Sequence, residues 1–315
     1  GARFLAYAME KELERSGKTL TILVATSGDT GGAVAAAFHG RKGIKVKVLF
    51  PKGRVSYRQK RQLTCWGGNI SAYEVDGSFD DCQKMVKDAF MDRDIAHRES
   101  LSSANSINLG RLLPQMTYYV HAALSYLQKY GKEPLIIVPS GNVGNSCAGY
   151  WAQASGAPIT RIALAVNANR TIVDYLRSGT YEPRTSVATL ANAMDVGAPS
   201  NMERIFNLFP TREAFTSHIS AWSVSDDDIK SEIMSSWETD RYVVCPHTAT
   251  AEYVRRTEFA HEGAIVVSTA HPAKFETIVE PLVGHTVEMP PALSALMDKT
   301  EAYHSIPTDY QLLFE

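Results

Sequence analysis

Two hydrophobic rhythms alternate along the chain. Phe4, Leu5, Ala8, Met9 and Leu13 recur at three- and four-residue spacing, which predicts a helix from the first residues onward. Leu20–Ala25 is a short apolar run that reads as a strand; it meets a glycine turn and then an alanine-rich helix to about Phe38. Ile44, Val46 and Val48 alternate with lysines and lead into Leu49 and Phe50, the two-residue period of a strand. A helix over Tyr57–Thr64, a strand over Ile70–Val75 and a helix over Phe79–Met91 follow. Repeated strand–helix units predict a mostly parallel sheet covered by helices, with right-handed crossovers.

The pattern then changes scale. Residues 107–130 predict one long helix, kinked at Pro114 and joining two domains. Beyond it come a strand at 135–138, a helix at 146–154, a strand at 161–166 and a helix at 171–177. Residues 180–201 are rich in Pro, Gly, Thr and Ser and predict a loop. Helices at 226–237 and 248–259 precede a strand at 264–268, and the last fifteen or so residues, broken by Pro307, show no clear period. A chain of 315 residues exceeds one compact core. The expectation is an α/β protein of two three-layer αβα domains with mostly parallel sheets: a smaller domain over 1–103 and a larger one over 104–315.

Composition narrows the chemistry. A net charge of −2 argues against a broad basic surface for nucleic acid. No apolar run approaches the roughly 18 residues of a membrane-spanning helix. Cys65, Cys82, Cys147 and Cys245 form no CxxC pair and the nine histidines include no HExxH, so neither a disulfide framework nor a metal site is expected. The first residue is Gly1, and the helical stripe begins at once. The expectation is that there is no signal peptide and that further residues of the same domain stand upstream.

Three times a strand runs into a small-polar turn and then a helix: at Ser27-Gly28-Asp29-Thr30-Gly31, at Ser140-Gly141-Asn142-Val143-Gly144-Asn145, and near Ser268-Thr269-Ala270-His271. Strand ends of open α/β sheets bind ligands, and helix N-termini present unpaired N–H groups to anions. One such turn is as readily a capped connection; three in one chain favour ligand sites. The second turn has two glycines without Cβ atoms, so successive N–H groups can close on phosphate oxygens. It lacks the GK[ST] ending of a nucleotide-hydrolysing loop, and neither glycine turn reads GxGxxG. That suits a cofactor phosphate that is gripped but not transferred. The first turn offers Ser27, Asp29 and Thr30 to a substrate carboxylate. In the SSANSINLGR segment, Asn105 or Ser106 reads as a helix cap. Asn108 and Arg111 then lie three apart on one helical face, with Ser106 nearby, as a phosphate site or as a surface arginine near a helix start. His271 is held extended by Pro272, and Lys274 reads as a further anion ligand, although a lone His or Lys at such a place is usually structural or solvated.

Several motifs together resemble the threonine synthases, pyridoxal 5′-phosphate enzymes of the tryptophan-synthase-β group (fold type II). They are Gly1-Ala2-Arg3-Phe4, Ala25 through Gly31, Ser103 through Asn108 with Arg111-Leu112-Leu113-Pro114-Gln115, Pro139 through Asn145, Ala193-Met194-Asp195-Val196 with Pro199-Ser200-Asn201, Pro246-His247-Thr248-Ala249, and Thr269 through Phe275. The resemblance covers nearly the whole chain and is nearer the longer bacterial and fungal type than the plant type. It implies that Gly141, Asn142, Val143, Gly144 and Asn145 hold the cofactor phosphate and that Thr269 faces the pyridine nitrogen. It implies that Ser27, Asp29 and Thr30 hold the amino-acid substrate, and that Ser106, Asn108, Arg111 and Lys274 hold its γ-phosphate. The implied reaction converts O-phospho-L-homoserine and water to L-threonine and phosphate. A related phospho-lyase releasing a keto acid, or an inactive homologue with a binding role, would share these motifs. In such enzymes the cofactor-linked lysine lies in a Phe-Lys-Asp segment directly before Gly-Ala-Arg-Phe. That places it upstream of Gly1, and Lys42, Lys52 and Lys274 do not match it, so the chain as given is expected to be inactive. A cytoplasmic monomer or homodimer is the expected form.

Overall fold

The computed structural model describes residues 1–315. Nine strands run along it: β1 (Leu20–Ala25), β2 (Ile44–Pro51), β3 (Ile70–Val75), β4 (Leu101–Ser103), β5 (Leu135–Pro139), β6 (Arg161–Val166), β7 (Ser220–Ser223), β8 (Ala264–Val266) and β9 (His304–Ile306). They form two sheets in two compact units, one made of Gly1–Arg111 with Glu288–Glu315 and the other of Leu112–Val287. Every strand pair is parallel. No helix is long and apolar enough to cross a membrane.

The first unit orders its strands β4-β1-β2-β3-β9. Ile22, Val24, Val46, Val48 and Phe50 of the sheet pack with Val34, Phe38 and Leu63 of the helices Asp29–Phe38 and Tyr57–Thr64. The opening helix, Ala2–Ser16, buries Leu5, Ala6 and Leu13 and stops at Gly17 in the left-handed region. Its buried stripe is offset from the expected one, since Phe4 is 56% exposed and Ala8 faces solvent. The 1–103 and 104–315 division also needs correction. The chain leaves the first unit near the expected point, but residues 288–315 return to it. β9 adds to the sheet through Tyr73↔His304, Glu74↔Ser305 and Val75↔Ile306. The buried Arg61 donates to the carbonyls of Leu296, Met297 and Lys299 at the end of the helix Pro291–Met297.

The second unit orders its strands β7-β6-β5-β8. Ile136, Val138, Ile162 and Leu164 meet Tyr119, Cys147, Tyr150 and Phe215 in one core. The expected single helix over 107–130 is three pieces: the helix Leu109–Leu112, a 3-10 turn Leu113–Gln115 and the helix Met116–Tyr130. Pro114 supplies no N–H for a continuous ladder, and the break falls at it. The loop expected over 180–201 holds one 3-10 turn, Asn192–Met194. The strand expected over 264–268 stops at Val266.

The chain order decides where ligands fit. It adds β2 and then β3 on one side of β1, and returns with β4 on the other side. It repeats the plan with β6 and β7 on one side of β5 and β8 on the other. The winding therefore reverses beside β1, on passing from β3 to β4, and beside β5, on passing from β7 to β8, and the carboxyl ends there suit ligands.

Candidate active site

The first unit places two expected segments at its reversal point, after the neighbouring strands β1 and β4. In the turn after β1, the buried Thr26 accepts hydrogen bonds from the N–H groups of Gly28 and Gly31, both at 2.9 Å. That leaves the Ser27 and Thr30 hydroxyls outside the turn's own bonding. Gly28 has φ +136°, and a Cβ there would sit 2.6 Å from Gln59 Nε2, so only glycine fits. Gln59, 1% exposed, is the third residue of Tyr57–Thr64. It shares a capping box with Ser56 and donates to Asp29 Oδ1 at 3.3 Å. The Asp29 carboxylate is thus held from beneath, while Ser27, Asp29 and Thr30 stay half-buried.

The segment after β4 is tied to the end of β1, because Asn105 Nδ2 donates to the Ala25 carbonyl at 2.9 Å. The expected cap is corrected here. Neither Asn105 nor Ser106 caps the helix: Asn108 Oδ1 accepts from Gly110 N at 2.9 Å, and Asn108 Nδ2 donates to the Ser103 carbonyl. Asn108 therefore stands before the helix, not on one helical face with Arg111. Both ends of its amide are bound to backbone, which shapes the loop. Arg111 Nη1 donates to the Ala104 carbonyl at 2.6 Å, and Ser106 is half-buried in the same loop.

The second unit repeats the arrangement at β5 and β8. The 141–145 turn leaves β5, and Val143 takes φ +49° and ψ +14° as the N-cap of the helix Gly144–Ala154. Left-handed backbone is unfavourable for a β-branched residue, and this one is buried. None of the N–H groups of Gly141, Val143, Gly144 and Asn145 donates to a backbone carbonyl of the turn. The side chains are otherwise engaged. Asn142 Oδ1 accepts from Ser200 N and Oγ at 2.6 and 3.1 Å. Asn145 Oδ1 accepts from the Tyr119 hydroxyl at 2.6 Å, and its Nδ2 donates to Gln115 at 2.8 Å. Gly141 is required for a different reason from the one its spacing suggests. A Cβ on it would meet Met194 Cα at 2.6 Å, so the missing side chain admits a neighbouring loop.

Thr269 follows β8, the partner of β5. Its N–H donates to Thr248 Oγ1 at 3.4 Å and its side chain is exposed. His271 is extended at φ −78° and ψ 134°, as the following proline requires, and its Nδ1 accepts from Ala273 N. Burial, and then the charge of Lys274, hold the His271 imidazole below its usual range. Lys274 lies half-buried in the 3-10 turn Pro272–Phe275.

One cluster, built on Asp195 and His247, had no role legible in the sequence although both residues stand in the family motifs. Asp195 Oδ1 accepts from Thr189 Oγ1 at 2.6 Å and Asn167 Nδ2 at 2.8 Å, and its Oδ2 accepts from Thr189 N. Burial pushes its carboxyl up to about 6, opposed by these donors. His247, 2% exposed, accepts from Ala193 N at 3.0 Å through Nε2. Together they fix the loop that seats Met194 against Gly141. Asp195 and His247 stand in sequence among small and apolar neighbours, and no spacing links them.

Residues 1–268 match the family described as pyridoxal-phosphate dependent enzyme, and residues 246–314 match the family described as threonine synthase, C-terminal. The chain is 39% identical over 307 residues to the threonine synthase of Buchnera aphidicola, covering 97% of this chain and 71% of that protein. It is similar to the crystal structure of threonine synthase from Escherichia coli, with a TM-score of 0.89 at 38% identity, over 98% of this chain and 73% of that one. It belongs to the threonine synthase family. A pyridoxal-phosphate-bound threonine synthase from Brucella melitensis matches with a TM-score of 0.90 at 36% identity, over 99% of this chain and 73% of that one. The family is one of fold type II enzymes with pyridoxal 5′-phosphate as cofactor. The second unit's reversal point fits that group: its turn has engaged side chains and N–H groups that no carbonyl of the turn takes up, and a neutral hydroxyl, Thr269, follows the neighbouring strand β8.

Proposed function

We propose that the protein converts O-phospho-L-homoserine and water to L-threonine and phosphate. Phosphate leaves the γ-carbon, the water oxygen joins the β-carbon and a proton ends on the γ-carbon, with no net oxidation. The observation that carries the reading is the threonine synthase C-terminal match over 246–314, which includes Thr269 and Lys274, together with the pairing of β8, which precedes Thr269, on β5, which precedes the 141–145 turn.

The N–H groups of Gly141, Val143, Gly144 and Asn145 hold the cofactor phosphate, as helix N-termini hold anions, and Asn142 shapes the turn. Thr269 faces the pyridine nitrogen with a neutral hydroxyl. When bound, the cofactor takes up electron density from the substrate's α-carbon. Ser27, Asp29 and Thr30 hold the amino-acid end of the substrate. Arg111 holds its phosphate with Ser106, because a guanidinium matches phosphate oxygens in pairs, while Asn108 keeps the loop in shape; Lys274 is a further phosphate ligand by family resemblance alone. The expected place is the cytoplasm, as a monomer or homodimer, and a net charge of −2 favours a small-molecule ligand over nucleic acid.

Arg111→Ala tests the division of labour. It should leave cofactor absorbance intact and weaken phosphohomoserine binding by about 1.5–3 kcal/mol, the range for hydrogen bonds to charged groups. Equal loss of cofactor would overturn the assignment.

A further inference from the structure

We propose that Asn201 is a positioning residue that aims the Val143 N–H at the cofactor phosphate without touching it. Asn201 is fully buried, and its Nδ2 donates to the main-chain carbonyl of Asn142 at 2.9 Å. Its Oδ1 accepts from Arg204 Nη1 at 2.7 Å. The preceding residue, Ser200, donates twice to the Asn142 side chain. Two consecutive residues thus grip Asn142 by its main chain and its side chain.

The consequence follows from peptide geometry. In a trans peptide the carbonyl and the N–H of the next residue point in opposite directions. The Asn201 bond to the Asn142 carbonyl therefore fixes the direction of the Val143 N–H. That same peptide carries a strained neighbour, since Val143 sits at φ +49°. Turning the peptide over would take φ of Val143 to negative values and so out of the left-handed region, which is unfavourable for a β-branched residue. It would also withdraw the N–H from the turn. The relaxed conformer of the sequence is thus the one that cannot grip phosphate, and Asn201 holds the other. Strained backbone at a binding turn persists where its surroundings over-determine it.

The inference rests on the 141–145 turn holding the cofactor phosphate, so the test separates the two. Dissociation constants for pyridoxal phosphate and for phosphate-free pyridoxal are measured in the full-length protein, with the melting temperature of the apo form. Asn201→Asp keeps the acceptor for Arg204 but loses the donor to Asn142. It should weaken pyridoxal phosphate roughly 10–100-fold, as loss of a hydrogen bond to a charged group does, and leave pyridoxal unchanged. The apo melting temperature should fall, because the Asn142 carbonyl loses its buried donor, so the difference between the two ligands, not the melting temperature, reads the positioning role. Adding Val143→Gly should restore part of the affinity, because glycine bears positive φ without strain. The 31P resonance of bound cofactor should shift in Asn201→Asp and move back in the double variant. Unchanged phosphate affinity in Asn201→Asp, or equal loss for both ligands, overturns the positioning role. Gly144→Asp places a like charge in the turn; if pyridoxal phosphate affinity survives it, the phosphate assignment itself is wrong.

Discussion

A Cβ on Gly141 would strike Met194 Cα at 2.6 Å, and backbone does not yield as a side-chain tip does. Gly141→Ala should therefore cost roughly 1–3 kcal/mol of stability, the usual range for overpacking, and weaken the cofactor with it. An unchanged melting temperature would contradict that contact. Asp195 acts on the same loop from the other side. Its carboxyl is raised from 3.8 to about 6 by burial. Between those values the folded protein binds more proton than the unfolded chain, so this group's contribution is fully present below the lower value and lost as pH rises through the higher one. The melting temperature of the natural protein, relative to Asp195→Asn, should fall as pH is raised from 4 to 7, and a flat difference would show that Asp195 does not titrate there. Residue types at the site were legible in the sequence, because small polar turns after strands have few uses. Their further tasks were less so: the missing side chain of Gly141 also admits Met194, and Asn108 also caps the helix that follows it.

At the scale of elements, the strands β1, β2, β3 and β6 stood out because their apolar runs are long and bounded by turn residues. β4 and β9 have three residues each, too few for a period, whereas β8 was legible but ends two residues earlier than the expected strand. The helix Tyr57–Thr64 shows how one element serves another's chemistry. Its capping box fixes Gln59, and Gln59 supports both Gly28 and Asp29. Gln59→Ala removes a cap bond and a buried partner, and should destabilise by roughly 1–3 kcal/mol. It should also raise KM for phosphohomoserine while sparing cofactor affinity. Loss of cofactor affinity to the same degree would place Gln59 in general packing rather than beneath the substrate turn.

For the whole molecule, local pattern gave two parallel-sheet units but not the return of residues 288–315 to the first, which is a pairing distant in sequence. Arg61 is one tie of that return besides β9, a buried guanidinium on the last carbonyls of a helix, where cations are favoured. Arg61→Ala strands those carbonyls, at a cost of roughly 1–3 kcal/mol, and limited proteolysis should then cut within 288–315 before the rest; uniform digestion would argue against this tie. The central claim is the reaction itself. Its most direct test gives the full-length gene product pyridoxal phosphate and O-phospho-L-homoserine and follows phosphate, threonine and keto acid together. Phosphate and L-threonine in equal amounts, with one oxygen from labelled water on the β-carbon, are the predicted result. Phosphate accompanied by a keto acid and ammonia, or no turnover at all, would contradict the account.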